Sequence, residues 1–325
     1  MEDLSAPQTV LITGAAGFVG SHLTDRLLER GHRVIGIDNL SRGTRGNLDE
    51  ALRNPAFHFF EADLADLSSY RRIVADFRIT TIWHMAANSD IPGGIADPNV
   101  DCRDTFQTTF NTLLVMQEAR IPRIAFASTS AIYGVHDEPL KEDTGSLFPI
   151  SNYGAMKLAS EALISAALES FLERAWIFRF PNVIGPRATH GIILDLMAKL
   201  RANPPDLEVL GDGTQQKPYL HISDLLDAMF TIYERTSDAL NYFNIGPPDE
   251  GTTVLYIAKA ILREAAPSTP LRFTGGNRGW IGDVPRFRYS IEKIKRLGWQ
   301  PKLTSLQAVD RAVGEIYREI RARQS

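Results

Sequence analysis

The chain has 325 residues, a formal net charge of −4 and a hydrophobic share of 44%. That length holds one large or two medium domains, and that share can build a core without disulfides or metal. The mildly acidic balance argues against nucleic acid or an anionic membrane as the main partner. Cys102 is the single cysteine, which excludes an intramolecular disulfide and a thiolate zinc site and suits a reducing compartment. The opening MEDLSAPQT is acidic and polar rather than signal-like, and no apolar run reaches transmembrane length, so a cytoplasmic location is expected.

Strand and helix signals alternate through the first half, the pattern of a parallel sheet with helices on both faces. Strands are expected near 8–13, 33–38, 57–60, 80–84, 122–128 and 174–180, with helices near 18–30, 68–76, 100–119 and 151–172. After Arg179-Phe180-Pro181 proline and glycine become frequent and the elements shorten. Segments 222–234 and 240–245 read as a further helix and strand able to rejoin the first sheet. The tail, 290–325, reads as helical, with apolar residues at three-to-four spacing (Ile291, Ile294, Leu297, then Leu306, Val309, Val313, Ile316, Ile320). The expected plan is an α/β protein with a dinucleotide-binding domain over 1–180, rejoined by about 219–246. An interleaved substrate domain over 181–325 completes it, with a cleft between the two.

Residues 10–20, Val-Leu-Ile-Thr-Gly-Ala-Ala-Gly-Phe-Val-Gly, run from an apolar strand into a helix through Gly14, Gly17 and Gly20. The first glycine permits a tight turn, the second lets backbone N–H groups approach a pyrophosphate, and the third lets the helix pack closely. The helix points its positive end at the phosphates. Asp38 closes the next strand, where a carboxylate accepts from both ribose hydroxyls and repels a 2′-phosphate, which favours NAD over NADP.

Tyr153 and Lys157 stand four apart in Ser-Asn-Tyr-Gly-Ala-Met-Lys, one helical turn and one face. An ammonium beside a phenol favours the phenolate, making the tyrosine a usable base. A second such pair, Tyr289 and Lys293, reads as a surface pair on the C-terminal helix. Only Tyr153 comes after the fifth strand of the nucleotide-binding half. That strand ends in Ser128, Thr129 and Ser130, hydroxyls at the edge where doubly wound sheets bind ligands.

These motifs, in this order, together with Asp38-Asn39-Leu40-Ser41, Ala62-Asp63-Leu64, His84-Met85-Ala86-Ala87 and Phe180-Pro181-Asn182-Val183-Ile184-Gly185-Pro186-Arg187, resemble the extended short-chain dehydrogenase/reductase family. The branch resembled is the nucleotide-sugar epimerase/dehydratase one, and the likeness extends through 210–222 and 275–285, nearly the whole chain. The resemblance implies a Rossmann-type fold, NAD as cofactor and a nucleotide sugar, most readily a UDP-sugar, as substrate. It implies Thr129, Tyr153 and Lys157 as the catalytic set. Cofactor contacts are implied at Gly14, Gly17, Phe18, Val19, Gly20, Asp38, Asn39, Ser41, Asp63, Leu64, Ala86, Ala87, Ser128 and Pro181, besides Tyr153 and Lys157. Substrate contacts are implied at Asn88, Thr129, Ser130, Asn182, His190, Lys217, Tyr219, Arg278 and Asp283.

The implied chemistry is transient oxidation at C4 of the sugar to a 4-ketose, then return of the hydride to the opposite face. Dehydratases and decarboxylases of this family carry a glutamate just after the catalytic threonine. Ser130 and Ala131 hold that place here, which favours epimerisation, with 4,6-dehydration or decarboxylation as the alternative and a non-catalytic NAD-binding protein as a further one. The chain also departs from the family at Thr105, where many relatives have asparagine, at Trp280, and at Lys217-Pro218. Members commonly dimerise through the helices near 100–119 and 151–172, so a homodimer is expected. The seven histidines show no metal-ligand spacing, and His84 and His221 read as structural.

Overall fold

The computed structural model describes residues 6–202, 204–276, 284 and 286–323. In chain order the elements begin β1 (Thr9–Thr13), α1 (Phe18–Glu29), β2 (Arg33–Asp38), β3 (Phe57–Glu61), α2 (Leu67–Ala75) and β4 (Thr81–His84). Next are α3 (Ile91–Ala96), α4 (Pro98–Asp101), α5 (Thr108–Ala119), β5 (Arg123–Thr129), α6 (Asn152–Leu168), β6 (Arg174–Phe180) and β7 (Asn182–Ile184). Then come α7 (Ile192–Arg201), β8 (Leu207–Val209), β9 (Gln216–Lys217), β10 (Tyr219–His221), α8 (Ile222–Arg235) and β11 (Leu240–Asn244). The chain closes with β12 (Thr252–Thr253), α9 (Val254–Ala265), β13 (Leu271–Phe273), α10 (Glu292–Lys295) and α11 (Ser305–Ala322).

Among the described residues one sheet has seven strands in the order β11-β6-β5-β4-β1-β2-β3. The pairs β1–β2, β2–β3, β1–β4 and β4–β5 are parallel. The order reverses at β1, so the crevice beyond the carboxyl ends of β1 and β4 is where such a sheet takes a ligand. Both faces are covered. On one, Leu11, Ile82, Ile124 and Phe126 pack with Tyr70, Met116 and Ile164 from α2, α5 and α6. On the other, the Trp83 ring stacks on Phe178 and meets Phe230 and Tyr233 of α8. Near-continuous apolar strands such as TVLIT and RIAFAST are the consequence of that double burial.

The chain divides into two compact units, one of 1–132, 151–179 and 229–243, the other of 133–150, 180–228 and 244–325. The return to the first unit comes at Met229 rather than near 219, because Tyr219–His221 pairs with Asn182–Ile184 of β7 inside the second unit. Residues 133–150 also belong to the second unit. There Leu140 donates to Arg288 O and accepts from Ser290 N, and Tyr133 Oη donates to Asn244 Oδ1. The second unit has its own core, in which Ile257 and Ile261 of α9 meet Val309 and Val313 of α11.

Two expectations for the tail change. It is two helices broken at Gly298, which takes a φ of +81°, and Leu306 is exposed while Ser305, Ala308 and Ala312 face inward. Tyr289 precedes α10, is buried and bridges Leu140, so it shares no helix with Lys293. The expected helix 100–119 is likewise segmented: α4 and α5 flank a π-helical stretch, Cys102–Gln107, that carries the buried Thr105. Such stretches recur at functional sites. No helix among the described residues is long and apolar enough to cross a membrane.

The turn after β1 depends on what Gly20 lacks: a Cβ there would lie 2.0 Å from the Gly14 carbonyl oxygen, which is backbone and cannot yield. Gly20→Ala is therefore expected to lower the unfolding free energy by about 1–3 kcal/mol, measured by urea denaturation. An unchanged midpoint would contradict this account of the turn.

Candidate active site

The first unit carries a cradle at the end of β1. Gly14 takes φ +69°, and a Cβ on it would meet the Ala86 backbone at 2.8 Å. Gly17 begins α1 with no side chain capping the first turn, and that turn holds no acidic residue, so its N–H groups are suited to an anion. Phe18 and Val19 form that turn. Gly43 closes the loop after β2 onto it, since a Cβ there would lie 2.7 Å from the Ala16 backbone.

Asp38 is buried and accepts from Ala16 N (2.9 Å) and Leu40 N (2.8 Å). Burial raises its pKa, while the backbone bonds from Leu40, Ala16 and Gly17 oppose the rise. Each carboxylate oxygen has further acceptor capacity for a hydroxyl. Asn39 and Ser41 are exposed and bonded to each other. Asp63 Oδ1 accepts from Ala65 N, and the buried Leu64 passes its carbonyl to Asn111 Nδ2. A glycine cradle, an uncapped helix start and a carboxylate at the tip of β2 fit a dinucleotide.

Beneath the cradle lies a polar chain. Ala86 N donates to Thr13 Oγ1, which lies 2.7 Å from His84 Nδ1, and His84 Nε2 lies 3.1 Å from Thr109 Oγ1. His84 is fully buried, and burial lowers its pKa to about 3, so it is neutral and structural. Thr105 Oγ1 accepts from Asn88 N. Asn88, expected as a substrate contact, has its side chain engaged within the protein. It is buried, and its Nδ2 donates to Asp90 O and Asp101 Oδ1 while its Oδ1 accepts from Asp90 N. It braces the loop after β4.

The catalytic candidates meet at the end of β5. Ser151 caps α6 by accepting from Gly154 N, which fixes the helix start and places Tyr153 and Lys157 one turn apart. Tyr153 stands close to Thr129, whose Oγ1 accepts from Ala131 N. Burial pushes the Tyr153 phenol above the ordinary tyrosine range; the nearby Thr129 hydroxyl lowers it and the charge of Asp101 raises it. Lys157 is buried, donates to Ala127 O at 2.6 Å, and has its Nζ 4.6 Å from the Phe126 ring centre and 6.0 Å from that of Tyr153. Burial lowers its pKa to about 7, with Glu161 opposing. The pair is thus more deeply desolvated than an exposed helical couple, and in this geometry the phenol holds its proton.

Ser128, expected as a cofactor contact, has its hydroxyl donating to the buried Glu161 Oε1. Glu161 accepts in addition from Arg179 Nε (3.0 Å) and Nη2 (2.6 Å), a buried forked ion pair between α6 and β6. Neither Glu161 nor Arg179 stands out in the sequence. The available signal is two opposite charges in apolar settings, one in the strand WIFRF and one a turn after Lys157.

In the second unit Asn182 is exposed at the start of β7, and Tyr219, its partner in register on β10, is buried. Lys217 is half-buried on β9, which pairs antiparallel with β12. His190 is exposed and bonded to Thr189. Pro181 is buried. Ser130 is half-buried in the turn after β5, in the first unit. Arg278, Trp280 and Asp283 lie outside the described residues. His221 accepts from Ser223 N at the start of α8 and bonds Glu315 through Nε2, a structural arrangement. Among the described residues no group of three His, Cys, Asp or Glu side chains could hold a metal ion.

The family model of NAD-dependent epimerases/dehydratases matches residues 10–246. The chain belongs to this family. As an NAD-dependent epimerase/dehydratase family member it is similar to the UDP-glucose 4-epimerase of Azospirillum brasilense, 29% identical over 96% of this chain and 92% of that one. Among solved structures it resembles a UDP-galactose 4-epimerase at 32% identity, with a TM-score of 0.84 over 96% of this chain and 99% of that one. It resembles the UDP-glucose 4-epimerase of Thermus thermophilus, solved in complex with NAD, at 27% identity, with a TM-score of 0.83 over 94% of this chain and 98% of that one. The Rossmann-type fold and the NAD cofactor are therefore those of the family.

Replacing Glu161 by alanine leaves the Arg179 guanidinium buried without its carboxylate. We expect a loss of about 3–5 kcal/mol of stability by chemical denaturation, and a smaller added loss when Arg179→Ala is combined with it. Additive losses would show that the two side chains do not act as a pair.

Proposed function

We propose that this chain is an NAD-dependent nucleotide-sugar 4-epimerase acting on UDP-sugars. The observation that carries the reading is Tyr153 beside Thr129, with the Lys157 Nζ 6.0 Å from its ring centre, in the same unit as the glycine cradle and Asp38. Bound NAD supplies the acceptor and donor of the C4 hydride. Tyr153 takes the proton of the sugar 4-hydroxyl and later returns it, while Thr129 hydrogen-bonds the same oxygen. Lys157, when protonated, stabilises the phenolate and donates to a hydroxyl of the nicotinamide ribose. A positive charge brought beside the phenol lowers its pKa toward the working range.

The fate of the oxidised sugar depends on the residues just after Thr129. Ser130 and Ala131 form a tight turn there, and alanine moves no proton at C5. The 4-ketose then has one exit, reduction, and reduction on the other face inverts C4. The UDP-glucose 4-epimerases among its relatives support that outcome and the UDP-sugar class. We assign the diphosphate and nucleoside to Asn182, Lys217 and Tyr219, with His190 and Ser130 toward the sugar, Arg278 as a cation for the diphosphate and Asp283 as a further substrate contact. We further propose a homodimer through α5 and α6, supported by the exposed Phe110 on α5. The single cysteine supports a cytoplasmic setting.

The test is incubation with UDP-, GDP-, CDP- and dTDP-sugars without added NAD, with the products read by NMR. Inversion at C4 at constant mass, fastest with a UDP-sugar, is expected; loss of water or carbon dioxide would contradict the reading. Tyr153→Phe should cut turnover by roughly 10²–10⁴-fold while NAD still binds.

A further inference from the structure

Asp101, the last residue of α4, is fully buried, and nothing in the proposed reaction uses it. Its Oδ1 accepts from Asn88 Nδ2 at 2.8 Å, while its Oδ2 is sealed from solvent and makes no hydrogen bond. The carboxyl sits where Gly94 has no side chain: a Cβ on Gly94 would lie 1.9 Å from Oδ2. Gly94 in turn accepts, through its carbonyl, from Asn152 Nδ2 at 2.9 Å. Asn152 is the first residue of α6 and the neighbour of Tyr153. An incompletely satisfied carboxyl is thus packed through one glycine against the turn that carries the phenol.

The charged groups around it do not neutralise it. Helix α3 contributes none of its own, and its cap Asp90 is paired with Arg42 at 3.2 Å. Asp97 caps α4, and in the π-helical stretch Arg103 is held by Asp104 at 2.6 Å. From α6 come Tyr153, Lys157 and Glu161, the last two bonded to Ala127 O and to Ser128 and Arg179. No cation lies within ion-pair distance of Asp101 among the described residues. An unpaired buried carboxyl is costly unless a function retains it.

We propose that Asp101 is a positioning residue for Tyr153, a sealed carboxyl whose charge state sets how readily the phenol gives up its proton. The inference rests on Tyr153 as the acid–base group of the proposed reaction. With Asp101 ionised, a phenolate at Tyr153 places two like charges in a poorly polarisable interior, so the two groups titrate as a coupled pair. Burial, Asp104 and Asp90 raise the pKa of Asp101, and Asp101 raises that of Tyr153.

Asp101→Asn keeps the shape and the bond from Asn88 but removes the charge. In the full chain saturated with NAD and labelled with ¹³C at tyrosine Cζ, the Tyr153 resonance is identified by its loss in Tyr153→Phe. Its titration midpoint is expected to fall by about one pH unit in Asp101→Asn, and the acid limb of the pH–rate profile to move down with it. An unchanged midpoint in a variant of parental circular dichroism overturns the proposal. A shifted midpoint with an unmoved rate profile supports the coupling and overturns Tyr153 as the acid–base group. Should Asp101→Asn not fold, Asp101→Ser removes the same charge with less bulk, and an unmoved midpoint there overturns the proposal equally.

Discussion

Everything near the chemistry leans on one buried carboxylate. Glu161 accepts from the Ser128 hydroxyl on β5 and from the Arg179 fork on β6, while standing on α6 one turn beyond Lys157. Two charges that have left water are tolerable only when their hydrogen-bonding capacity is nearly all used. That requirement fixes the rotation of α6 against two strands at once. Lys157 then reaches the Ala127 carbonyl, and Tyr153, further up the same face, meets Thr129. The geometry of the hydroxyl pair is set by a salt bridge that touches neither of them.

A second polar network performs a similar service beneath the glycine cradle. It runs from Ala86 N through Thr13 to His84, from His84 to Thr109, and from Thr109 Oγ1 to the Thr105 carbonyl. Thr105 holds Asn88, and Asn88 holds Asp101 beneath the start of α6. Because His84 is neutral, each ring nitrogen can keep one role, and the ring stacks on Phe126, the residue that also faces Lys157. The turn that shapes the glycine cradle and the turn that presents Tyr153 are therefore parts of one hydrogen-bonded frame.

Much of this is legible in the sequence, for identifiable reasons. Gly14, Gly17 and Gly20 mark places where a side chain cannot fit, and steric exclusion is local in sequence. Strand alternation with helices reads through because both sheet faces are buried. The Tyr153–Lys157 spacing is a property of one helix. What stays hidden depends on where a polar side chain turns once the fold exists. Ser128 and Asn88 are contacts that the family resemblance implies; what the sequence does not show is that their side chains bond Glu161 and Asp101. Tyr289 departs from its expected place because it bridges Leu140 before α10 begins, and Leu306 because α11 starts afresh after Gly298 and Pro301.

Central to the proposed function is that the hydride removed from C4 stays inside the protein and returns to the same carbon from the other side. A UDP-hexose carrying deuterium at C4 tests this most directly, incubated in ordinary water with excess unlabelled free cofactor and monitored by NMR. The predicted result is an inverted product that keeps its deuterium at C4. Label lost to water, or collected in the free cofactor, would contradict it.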